Sequence, residues 1–179
     1  FGTVYKWHGD YAVCCFKTSI CVDYPKNKKL SRLYRGVRNV LCLIKRKRMD
    51  VIYRRYIKFP FYKLKEKNKG KIWLISDRID NAGDNGEVLF KYICEHKPKG
   101  VRPIFMIGES AKPEVKERIK SIGELAIAES REYPYLFLMA DKIISSSAGE
   151  FTINAFDEQR HYFNDLYNYT YYFMNHGVN

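Results

Sequence analysis

Three short polar clusters carry the side chains best suited to chemistry: Asp77-Arg78, Ser145-Ser146-Ser147 and Asn175-His176-Gly177. His176 is the leading candidate. A neutral imidazole accepts a proton from an attacking hydroxyl, and a charged one binds phosphate. The plainer alternative is a hydrogen-bonded histidine at a strand end. Gly177 lets a backbone approach a ligand closely. Arg78 suits bidentate phosphate binding, or an ion pair with Asp77 or across its loop. Ser145 and Ser146 can bond a ligand or simply terminate a strand. His8 precedes Gly9 in a hairpin-like context, while His96 and His161 read as surface residues. GEVLF and GESAKPE lack the glycine and lysine spacing of a phosphate loop or dinucleotide fingerprint, and no metal-ligand spacing is visible. No cofactor is expected.

These clusters need elements to bring them together. Ile72 to Ile75 form an apolar run short enough for one buried strand, 72–76, a polar loop runs from Ser76 to Gly83, and Asp84-Asn85-Gly86-Glu87 opens an amphipathic run to residue 95. Asp84 with Glu87 three residues on predicts a capping box, with Asn85-Gly86 supplying the turn. Further strands are predicted at 101–107, 125–127, 142–145 and 171–174. Helices are predicted between Ser110, as cap, and Gly123, and over 132–140. The stretch 150–169 fits a helix or a long loop. This alternation argues for an open parallel sheet with helices on both faces. All three clusters fall at carboxyl ends of strands, the edge where such sheets bind ligands.

The first 25 residues read as the end of a β-rich element: two runs flanking His8-Gly9-Asp10 make a hairpin, and Ile20-Cys21-Val22 adds a third run. Residues 26–70 are different. From Lys26 to Lys71 there are eighteen Lys and Arg against two acids, whereas the rest of the chain has fourteen basic and eighteen acidic residues. Confining the positive excess to one segment weighs against a nucleic-acid binder, which spreads its bases over the folded surface. Leu30, Leu33, Tyr34, Val37, Val40, Leu41 and Ile44 recur at helical spacing, and Ile52, Tyr53, Tyr56 and Ile57 continue the face until Pro60 stops it. Such a basic amphipathic helix lies on an anionic membrane surface or packs on its own domain. Residues 71–179 form the α/β domain. Phe1 and Asn179 read as the ends of a piece cut from a longer protein. The odd count of five cysteines, with no CxxC pair, suggests reduced core thiols.

The motifs SDRIDNAGDNGEVLFKYI, KIISSS and YYFMNHGVN, in that order, resemble the bacterial CDP-glycerol glycerophosphotransferase family of teichoic-acid and capsule polymerases. The resemblance covers residues 71–179. It implies a Rossmann-like fold, here the N-terminal, acceptor-side half of a GT-B-type enzyme whose CDP-binding domain lies beyond Asn179. It implies transfer of glycerol phosphate from CDP-glycerol, or another CDP-polyol, to a polyol-phosphate polymer or lipid-linked acceptor. The expected location is the cytoplasmic face of the bacterial membrane. The family's HG histidine, the proposed base, falls on His176. Asp77, Arg78, Ser145, Ser146 and Gly177 are then the candidate substrate contacts. Where the family motif usually continues with a threonine, this chain has Val178-Asn179. A non-catalytic module that binds phosphate-rich polymer or membrane is the alternative.

Overall fold

The protein is described by a computed structural model over residues 4–8, 11–15, 20–23, 28–67, 69–152 and 154–174. It forms two compact units, Phe1–Ile52 and Tyr53–Asn179.

In the first unit, β1 (Val4–His8), β2 (Tyr11–Cys15) and β3 (Ile20–Asp23) make an antiparallel sheet in that order. The expected hairpin closes with His8 opposite Tyr11. Helix α1 (Lys28–Lys45) follows, then α2 (Met49–Tyr53) begins. On α1, Leu33, Val37, Leu41 and Ile44 share one face by their spacing and are exposed. Cys42 is exposed as well, contrary to the expectation of core thiols.

The second unit begins with a π-type turn, Arg54–Lys58, running directly into α3 (Phe59–Glu66). Pro60 was expected to stop the helix, and it does not. Phe59 donates its N–H back to the Arg54 carbonyl across five residues. The widened turn gives the pyrrolidine ring room that an α-turn would deny it, and Pro60 sits in the first turn of α3, where an N–H is least needed.

One side of this lead-in is bound to the sheet unit. The Tyr62 ring stacks on Tyr135 with centroids 4.6 Å apart, and its hydroxyl donates to Glu132 at 3.2 Å. Arg55 donates to Asp165 at 2.8 Å and to the Tyr162 carbonyl. Glu66, 8% exposed, pairs with Arg102, which also reaches Glu124. Burial alone would raise the Glu66 carboxyl, but the charge and bonds of Arg102, with a bond from Lys69, outweigh it and hold it below its ordinary value. On the other side, Tyr53, Ile57, Phe61 and Leu64 are exposed.

Five parallel strands follow: β4 (Lys71–Ser76), β5 (Val101–Ile107), β6 (Glu124–Ile127), β7 (Ala140–Ser145) and β8 (Thr170–Phe173), in spatial order β6-β5-β4-β7-β8. This is a Rossmann-like sheet whose order reverses between β4 and β7. Its strands alternate their side chains between two cores. Ile75, Phe105, Ile107 and Ile144 pack with Phe90 and Ile93 of α4 (Asn85–His96) and Ile119 of α5 (Pro113–Ile122). Ile72, Leu74, Ile104, Met106 and Ile143 pack with Tyr133 and Phe137 of α6 (Tyr133–Met139). Strands buried on both faces need the near-continuous apolar runs read in the sequence.

Two local expectations change. Ser110 does not cap α5: Lys112 holds the cap position in extended conformation, as residues before proline prefer, and the helix opens on Pro113. The stretch left open at 150–169 contains short 3₁₀ turns at Glu150–Thr152, Asp157–Tyr162 and Asn164–Leu166, with the Phe156 and Phe163 rings stacked 3.9 Å apart.

Candidate functional site

The reversal between β4 and β7 opens a crevice at their carboxyl ends, and two of the predicted clusters meet there. Ser76, the last residue of β4, donates through its hydroxyl to the Ser145 hydroxyl at 2.8 Å. Ser146 donates its backbone N–H to the Ser76 carbonyl at 3.1 Å and its hydroxyl to Asp77 Oδ1 at 2.7 Å. Ser145 closes its own turn, donating to the Ser147 carbonyl at 2.6 Å. Ser76, Asp77, Ser145 and Ser146 are all buried.

Asp77 is the centre of this arrangement. Its Oδ1 also accepts from Gly86 N at 2.7 Å, and its Oδ2 accepts from Glu87 N and Asp84 N at 3.1 Å and Gly83 N at 3.3 Å. A buried carboxylate thus fills the start of α4, satisfying helix N–H groups that would otherwise lack partners. The predicted capping box is not formed. Asp84 does occupy the cap position, but its side chain accepts from Asn85 N at 2.8 Å. Glu87 turns away to pair with Arg118 at 2.8 Å. The sequence rule failed because the cap is supplied from the preceding strand end, beyond the local window it inspects.

Gly86 also has a different role from the turn expected of it. It lies within α4, where an added Cβ would meet Asp77 Oδ1 at 2.4 Å and the Ser76 carbonyl oxygen at 2.6 Å. Its lack of a side chain lets the helix seat on the strand end. The turn itself is made by Gly83, at φ +121°.

Arg78 is exposed and has no hydrogen-bond or ion-pair partner among the described residues, so the ion pair with Asp77, one of its two readings, is absent. Arg78 directly follows Asp77 in the loop that leaves β4 at this edge. The third cluster, Asn175-His176-Gly177, lies outside the described residues. The chain reaches that point from β8, where Met174 N donates to the Ser145 carbonyl at 2.8 Å. Ser76 went unrecognised as a site residue because it reads simply as the first residue of the polar loop after Ile75. A small polar residue just before Asp77, on the strand that borders the reversal, was its only signal. A cavity of about 400 Å³ lies at the opposite edge, among Lys63, Lys67, Lys71 and Asp141. Lys71 and Asp141 pair there at 3.8 Å. Topology, with the convergence of Asp77, Arg78 and the serines, places the candidate site at the carboxyl edge.

The minor teichoic acid biosynthesis protein GgaB of Bacillus subtilis (strain 168) is 37% identical to this chain over 111 residues. The match takes in 62% of the chain and 12% of that protein, so the chain spans a small part of its relative's length. A family model described as CDP-glycerol:poly(glycerophosphate) glycerophosphotransferase matches residues 57–179, which include α3, the whole parallel sheet and the crevice. The chain belongs to the CDP-glycerol:poly(glycerophosphate) glycerophosphotransferase family.

Proposed function

We propose that this chain is the acceptor-side, Rossmann-like half of a two-domain glycerophosphotransferase of teichoic-acid biosynthesis, working with CDP-glycerol and a growing polyol-phosphate chain. The observation that carries this reading is the family match over residues 57–179, which spans the β4–β7 crevice. In the reaction, the terminal hydroxyl of the acceptor attacks the β-phosphorus of CDP-glycerol. A new oxygen–phosphorus bond forms as the bond to CMP breaks, and CMP leaves with the electron pair. His176 takes the hydroxyl proton. Arg78, the uncommitted cation, takes a phosphate of donor or polymer. Ser145 and Ser146 shape the floor beneath it, with Gly177 leaving room next to the base.

In the full-length protein, His176→Ala abolishes CMP release from CDP-glycerol in the presence of acceptor while CDP-glycerol binding persists. Near-normal turnover by that variant would remove His176 from the mechanism. A second reading, a non-catalytic module docking phosphate-rich polymer, draws support from one observation: Asp77, Ser145 and Ser146 are all bonded within the protein. Failure of the wild-type protein to release CMP selects that reading.

The location we propose is the cytoplasmic membrane face, held peripherally. No helix among the described residues is long and apolar enough to cross a bilayer. The exposed row Tyr53, Ile57, Phe61 and Leu64, set among lysines, supports contact with an anionic lipid surface.

A further inference from the structure

The start of a helix that follows a parallel strand is a ready anion site, because its free N–H groups and dipole converge on one point. Here that point is filled from within the chain. Asp77 accepts the N–H groups of Gly83, Asp84, Gly86 and Glu87 at 2.7–3.3 Å, and its exposure is 1%. The hydroxyl of Ser146 adds a fifth donor from the far side of the sheet reversal. Gly86 has no Cβ, and the room one would take is held by the carboxylate and by the strand end. The next residue, Arg78, is exposed and uncommitted among the described residues.

We propose that Asp77 is a positioning residue that acts as a built-in anion. It occupies the backbone site a substrate phosphate would otherwise take, locks the loop between β4 and α4 to the end of β7, and so leaves phosphate recognition at this edge to the Arg78 side chain. Arg78's part rests on the function proposed above; Asp77's part does not. A carboxylate held by five donors is fixed without substrate, so Arg78 leaves the loop from a rigid base. A guanidinium reads a phosphodiester from outside the fold, as a long polymer requires, whereas a recessed amide cradle suits a terminal phosphate.

The test uses formate as a stand-in for the missing carboxylate. In the 179-residue chain, Asp77→Ala lowers the thermal midpoint. Formate at roughly a hundredfold over its dissociation constant then raises that midpoint by about 5 °C, saturably. Wild type and Asp77→Asn, whose cradle is filled, do not respond. A merely structural loss of packing would not be restored by a small anion. Equal formate responses in wild type and Asp77→Ala, or none in the variant, would overturn the proposal. If Asp77→Ala does not fold, an NMR titration of wild type with inorganic phosphate decides. Movement of the Arg78 Nε–H signal with still Gly86 and Glu87 amides supports the proposal, and movement of those amides overturns it. In the full-length protein, Asp77→Ala lowers kcat more than it changes KM for CDP-glycerol, and formate restores part of kcat. A wild type that releases no CMP refutes the proposed function but leaves the formate result standing.

Discussion

Gly86→Ala separates helix propensity from close packing, because the two predict opposite signs. Within a helix, glycine to alanine normally gains about 1 kcal/mol. At Gly86 the new Cβ would lie 2.4 Å from Asp77 Oδ1, 2.6 Å from the Ser76 carbonyl oxygen and 2.8 Å from its carbon. The last two atoms are backbone at the end of a central strand, and that oxygen already accepts from Ser146 N. The helix must therefore lift. Overpacking of this kind costs about 1–3 kcal/mol, and lengthening the bonds to the Asp77 carboxylate costs about 1.5–3 kcal/mol for each one lost. Set against the propensity gain, the net destabilisation is about 3 kcal/mol. For a domain of this size the thermal midpoint should fall by about 6–12 °C. Gly36→Ala is the control: it lies in α1 with nothing within 4 Å of the added Cβ, and should stabilise by up to about 1 kcal/mol. Circular-dichroism melts of both variants, with urea titrations to confirm the free energies, make the comparison. A Gly86→Ala protein as stable as wild type would refute the close-approach argument.

The Glu66 carboxyl is held below its ordinary value of 4.5, so its stabilisation is complete above that pH and is lost as pH falls through the lowered folded value. Glu66→Gln should therefore melt below wild type at neutral pH, with the two curves converging under acid; a gap that widens on acidification would contradict the ion pair. Arg78→Gln should leave the melting temperature unchanged within about 1 °C, since an exposed side chain without a partner among the described residues contributes little, while KM for substrate rises. A large stability loss would mean that Arg78 is structural. Phe61→Glu with Leu64→Glu should abolish flotation of the chain with anionic liposomes, where each nearby base contributes about 1 kcal/mol. Undiminished flotation would move the contact elsewhere. Burial raises the Cys94 thiol, so a maleimide should modify exposed Cys42 well before Cys94; the reverse order, read by peptide mass mapping, would contradict their burial.

Much of the fold is legible in the sequence because parallel strands are buried on both faces. Ile72–Ile75 and Ile104–Ile107 can be little else, and Gly and Pro punctuate the helices between them. What escaped was set by partners distant in sequence. Pro60 looked like a stop because a π-type turn leaves no local signature. Asp84 and Glu87 looked like a closed cap because the carboxylate that replaces them comes from a strand end. The meeting of Asp77 with Ser145 and Ser146 at one sheet edge was legible, because both clusters end neighbouring parallel strands. The different settings of Asp77 and Arg78 were not. Asp77 and Arg78 are adjacent in sequence, yet one is buried and saturated while the other is exposed and without a partner among the described residues, and only burial distinguishes them.

The position of β4 also bears on the order in which the domain assembles. Its pairing with β5 joins residues such as Lys71 and Val101, separated by one short helical crossover. Its pairing with β7 joins Ser76 to Ser145 across 69 residues. Closing the longer span costs roughly 0.6 kcal/mol more per doubling of length, before any contact rewards it. Topology thus favours early formation of the β4–β5–β6 half and late docking of β7 and β8. On that order the seam between β4 and β7, which carries Asp77 and the serines, is the last pairing of the sheet to close. In native-state hydrogen exchange, the amides of Ser146 and Met174 should become accessible before those shared by β4 and β5.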